Sequence, residues 1–198
     1  MLRVAALITA FCWLFATYPA QATSCSEIVS IDNSEVKQLI AILHDPDADE
    51  FDQILAVEAL TCAKRKPVRD MGFRAMLRSP NDVVRADGLF RALSDRSSIV
   101  VKLATRQGMS KDDQNFVKAN PEIIFDVHFV DTERRCISIW RVNSTKCEPD
   151  TGVVVTRNEV VLRYRETKVV LEATPDGRLT GSYSYRYNKN IPAEIEVY

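Results

Sequence analysis

Apolar residues follow a helical rhythm through the first half of the chain and an alternating rhythm through the second. Val36, Leu39, Ile40 and Leu43 stand at i, i+3, i+4 and i+7, one stripe of a helix that Asn33 or Ser34 can cap. His44-Asp45-Pro46-Asp47 ends it, because proline cannot continue a helix and disfavours one just before it. A second helix is predicted over residues 50–63, with Phe51, Ile54, Leu55, Ala59, Leu60 and Cys62 as its apolar face. Pro67 stands where a third would begin. Ser79-Pro80-Asn81-Asp82 supplies a serine cap, a first-position proline and an acid for a fourth. Val83, Ala86, Phe90 and Leu93 would face inward on that helix, and residues 97–104 read as a fifth. A polar stretch at 107–121 follows as a linker, in which Ser110 can cap a short helix before Pro121.

Past Pro121 the period is two. Phe125, Val127 and Phe129 alternate with Asp126 and His128, and Ile137 and Ile139 with Ser138 and Trp140. Val160, Leu162 and Tyr164 repeat the pattern, as do Val169, Leu171 and Ala173. Leu179, Gly181, Tyr183, Tyr185 and Tyr187 share a face, and Ile195 and Val197 close the series. Thr174-Pro175-Asp176-Gly177 is a hairpin turn, with proline fixing φ and glycine taking φ > 0. About seven strands at this spacing predict an antiparallel sandwich or small barrel. The expected fold class is therefore α+β: a helical unit over 23–106, the linker over 107–121, and a β unit over 122–198.

The helical part repeats. Leu43 and Pro46 recur as Leu77 and Pro80, 34 residues on, and AVEAL at 56–60 as LFRAL at 89–93, 33 residues on. LIAILHDPD with ILAVEAL, then FRAMLRSPND with VVRADGLFRAL, resembles HEAT-type helical repeats over about residues 35–105. Val84-Arg85 matches the VR pair that opens the second helix of such a unit. The resemblance implies an α-solenoid that binds other proteins. Gly72 and Gly88 inside helices depart from it, and two units fall short of the three or so that stand alone.

The first 22 residues have the form of a signal peptide: Arg3, an apolar run over Val4–Phe15, and Ala20-Gln21-Ala22 before the cut. That run is too short to span a bilayer comfortably. The expected location is periplasmic or secreted, without a membrane span. Ala22-Thr23-Ser24-Cys25 is too poor a match to a lipidation site to expect a tether at Cys25. Cleavage removes Cys12 and leaves Cys25, Cys62, Cys136 and Cys147. An even number in an exported chain points to disulfides. Of three possible connectivities, Cys25–Cys62 with Cys136–Cys147 is expected, because each bond then staples one half.

Charge is divided along the chain. Residues 27–58 hold nine acids against Lys37, whereas 64–106 hold eleven bases against Asp70, Asp82, Asp87 and Asp95. Arg69, Arg74, Arg78, Arg85 and Arg91 are the candidate contacts for an acidic protein partner. No aromatic residues interleave with them as in a nucleic-acid surface. The composition offers no phosphate loop, metal-spaced cysteine or histidine set, or nucleophile motif, so no cofactor and no metal is expected. The leading expectation is a binding protein rather than an enzyme: an adaptor, or an inhibitor or immunity protein. A second places a small-molecule or carbohydrate site in the β half, on Trp140, Tyr183, Tyr185 and Tyr187. A third, an enzyme, would have to use His128 with nearby carboxylates.

Overall fold

The computed structural model describes residues 25, 28–140, 145–174, 177–186 and 188–197. The expected signal peptide and Cys12 lie outside them. Four helices come first: α1 (Asn33–His44), α2 (Glu50–Thr61), α3 (Lys66–Leu77) and α4 (Asp82–Ser94). Asp32 caps α1, its carboxylate accepting from the N–H of Ser34 at 2.7 Å and of Glu35 at 2.9 Å, one residue before the expected cap. Asn81 rather than Ser79 caps α4, accepting from the Val83 N–H at 2.8 Å, while Ser79 is buried in the turn. With the start shifted, Val84 faces inward and Val83 is exposed.

α2 buries Gln53, Ala56, Val57, Leu60 and Thr61, and leaves Phe51, Ile54 and Leu55 exposed. Leu60 and Cys62 are buried as the sequence predicts, but the first half of the expected face is overturned. The helix is apolar on nearly every side through Ile54-Leu55-Ala56-Val57, so periodicity does not select a face; close packing does. A methyl group on Gly72 of α3 would stand 2.7 Å from Leu60 Cβ, and one on Gly88 of α4 would stand 2.5 Å from Met76 Cβ. These glycines lie where successive helices cross, which accounts for their place inside helices.

Residues 97–104 form no fifth helix. Ser98–Leu103 is strand β1, with Ile99, Val101 and Leu103 buried in strict alternation. Two β-branched residues at period two outweigh the helical pattern here. α5 (Lys111–Ala119) follows, capped by Ser110 as the sequence predicts. Eight more strands complete a single sheet: β2 (Glu122–Asp126), β3 (Phe129–Asp131), β4 (Cys136–Ser138), β5 (Gly152–Thr156), β6 (Glu159–Tyr164), β7 (Thr167–Ala173), β8 (Arg178–Tyr185) and β9 (Asn188–Glu196). The β7–β8 turn has Gly177 at φ +82°, the left-handed conformation that its glycine was expected to supply. Pro175 and Asp176 of that turn lie outside the described residues.

All neighbours are antiparallel, in the order β2-β1-β9-β8-β7-β6-β5-β4-β3. The outermost strands, β2 and β3, are consecutive in the chain, separated only by Val127 and His128. The sheet therefore curls into a half-barrel whose two margins belong to one continuous segment, rather than splitting into a sandwich. Phe125 of β2 meets Tyr164 of β6 edge-on across the interior, with ring centroids 5.8 Å apart.

The fold class is α+β, with the helices first. One hydrophobic cluster runs from Val36, Leu60 and Leu89 through Val155 and Leu171 to Ile195, so helices and sheet share a core. Both expected disulfides are present. Cys25–Cys62 closes 37 residues with Cα atoms 5.6 Å apart, and Cys136–Cys147 closes 11 with Cα atoms 5.8 Å apart. Beside the first, the Val29 N–H donates to Cys62 O at 3.0 Å and the Lys64 N–H to Val29 O at 2.8 Å, fixing the lead-in to the end of α2.

Candidate functional site

A cleft of about 310 Å³ opens where the α3–α4 turn meets the β5–β6 and β7–β8 turns. Arg78, Ser79 and Arg85 supply the helical wall, and Asn158 and Thr174 the sheet wall. Arg85 is fixed on three sides. It donates to Ser79 O, pairs with the Asp82 carboxylate one turn earlier, and reaches across to Asn158 Oδ1 at 3.0 Å. Asn158 is held in turn, since its carbonyl accepts from the Ala173 N–H at 2.8 Å and its neighbour Arg157 takes φ +49°. The Thr174 hydroxyl donates to Arg178 O at 2.9 Å.

Arg78 differs from Arg85. It is the C-cap residue of α3, and its N–H donates to Ala75 O at 3.1 Å. Its exposed guanidinium has no hydrogen bond or ion pair among the described residues. Cleft and charge thus combine at an exposed fork of donors, beside a second guanidinium locked in place.

The other candidate arginines do not join them. Arg69 donates to Ala63 O at 2.8 Å and Lys64 O at 3.1 Å, closing the end of α2. Arg91 pairs with Asp87 at 2.7 Å and reaches Thr61 Oγ1 at 3.3 Å. Asp87 also takes Arg135, from the β3–β4 turn, at 3.0 Å, so one carboxylate ties helix to sheet. Arg74 is exposed on α3 and is not among the residues that line the cleft. Of the five, the structure brings Arg78 and Arg85 together. Asn158 and Thr174 carried no signal in the sequence, because a turn residue is chosen for a wall only once the sheet has curled.

The aromatic row divides. Tyr183 is only 3% exposed. Phe116 of α5 stacks over it and over half-buried Tyr185, with centroids 5.8 and 6.2 Å away. Burial raises the Tyr183 pKa, and a hydrogen bond with Thr167 opposes part of that rise. Trp140 is half-buried against Tyr164 at 5.2 Å, and the Arg165 guanidinium lies 5.0 Å from its ring centre. Tyr187 lies outside the described residues. The backbone N–H of His128 donates to Ser138 O at 2.9 Å, where β2 gives way to β3. His44, the last residue of α1, lies 3.2 Å from Ala75 O through Nε2.

Among the described residues, no group of three His, Cys, Asp or Glu side chains is placed to hold a metal ion. No helix among them is long and apolar enough to cross a membrane. No family model, no curated protein and no solved structure matches the chain.

Proposed function

We propose that this chain is an exported binding protein, an adaptor or an inhibitor, acting by protein–protein contact through its charged helical surface. The observation that carries this is Arg78, exposed on the wall of the cleft with no ion pair among the described residues, beside the immobilised Arg85. A guanidinium offers a planar fork matched to a carboxylate, and such pairs are among the stronger hydrogen bonds in proteins. The cleft volume lies at the lower end of the range for ligand pockets, about 300–1,000 Å³, and suits an inserted acidic side chain. Two disulfides in a chain of this size agree with an oxidising compartment outside the cytoplasm.

The test is a pull-down at low salt from the periplasmic or secreted fraction, with the wild-type chain and Arg78→Glu side by side. Wild type is expected to capture a specific acidic protein. Arg78→Glu should bind that protein at least about tenfold more weakly, the scale of one lost charge-assisted contact, with an unchanged melting temperature. Equal capture by both chains, or no specific partner at all, defeats the proposal. A ligand site on the sheet is the second reading. Half-buried Trp140 under Arg165 favours it, whereas the Tyr183 ring is spent on the core.

A further inference from the structure

α2 carries a second surface of opposite character. Phe51, Ile54 and Leu55 keep 64%, 50% and 46% of their surface open. With Glu58 they follow i, i+3, i+4, i+7 spacing, which makes them one stripe about 10 Å long. Single exposed apolar residues are ordinary, but a contiguous row with a polar border marks an interaction site. Here the border is acidic. Asp49 caps the helix, Glu50 and Asp52 flank the stripe, and no Lys or Arg occurs between Lys37 and Lys64. Gln53 Oε1 accepts from Asn81 Nδ2 at 2.7 Å, which sets the start of α4 beside that of α2. Val83, one residue into α4, is also exposed, at 54%.

We propose that this stripe is a docking surface for an amphipathic helix of a partner protein, with apolar residues on one face and Lys or Arg along its edge. The apolar row needs a partner that brings its own, and the acidic border selects the sign of the rim. A second copy meeting α2 through α2 would set acid against acid, which disfavours a two-fold self-association here. The surface is independent of the cleft, whose arginines call for the opposite charge. An adaptor with both would hold a carboxylate-bearing partner at one place and a cationic helix at another.

The test uses the full chain and a labelled Leu/Lys amphipathic peptide of about 18 residues, five helical turns. A Leu/Glu peptide of the same apolar pattern and a scrambled Leu/Lys peptide are the controls. The expected result is binding of the patterned cationic peptide at least about tenfold tighter than either control. Phe51→Ser with Leu55→Ser should weaken it about tenfold or more. Salt raised from about 50 to about 500 mM should weaken it several-fold without abolishing it. Ile54→Lys, a helix-forming change at an exposed position, gives the same readout should the double variant melt early. Equal binding of the scrambled peptide, or full binding by the variants, would overturn the proposal. So would concentration-dependent self-association of the chain that the variants remove, since that assigns the stripe to a second copy.

Discussion

Two glycines and a tyrosine show what single positions contribute. On an exposed helix face Gly→Ala is favourable, by about 1 kcal/mol of propensity. At Gly88 the sign reverses, because the new methyl group would meet Met76 Cβ, an atom too close to the backbone to swing aside. Gly88→Ala should cost about 1–3 kcal/mol in a denaturant titration, the range of an overpacked core. Tyr183 gives a pH dependence. Burial raises its pKa, so the folded chain keeps the phenolic proton to higher pH than the unfolded chain does. Stability from this residue is complete below about pH 10, the unfolded value, and falls as pH rises through the folded one. Alkaline titration followed by tyrosinate absorbance should show one tyrosine ionising late, and Tyr183→Phe should remove that step together with its share of alkaline destabilisation.

At the scale of elements, a short helical array depends on its bond to the lead-in. Cys25–Cys62 closes the longer loop, and by loop-closure entropy its removal in Cys25→Ala with Cys62→Ala should cost up to about 4 kcal/mol. The shorter Cys136–Cys147 loop should cost up to about 3 kcal/mol on the same basis. Thermal denaturation of the two double variants checks both the losses and their order. The elements were legible in proportion to how one-sided their patterns are. α1 and α5 were, down to a residue or two, because Asp45-Pro46 and Ser110 punctuate them. The inner face of α2 was not, since apolar residues surround its middle and the choice is made by Gly72 on another helix. β1 was misjudged for a related reason: Ile99, Val101 and Leu103 alternate visibly, but they stand directly after a helical run. The even cysteine count pointed to two bridges, and the preference for one bond within each half chose the observed pairing from three connectivities.

For the whole molecule, the local order of strands could be read and their closure could not. Hairpins from β5 to β9 follow from short turns, whereas the pairing of β1 with β9 joins Lys102 to Glu194 and Leu103 to Ala193, far apart in sequence. The same long-range closure builds the cleft. Arg78 and Arg85 stood out as basic residues, but their convergence with Asn158 depends on how the curled sheet meets the α3–α4 turn. The β1–β9 pairing also sets an order of events. A ribosome or translocation channel releases the β1–β2 pair long before the final strand, and until that strand arrives nothing stands between this pair and the meander. The last ten residues or so act as a keystone, and a chain lacking them keeps its hydrophobic interior unsealed, however well its helices have formed.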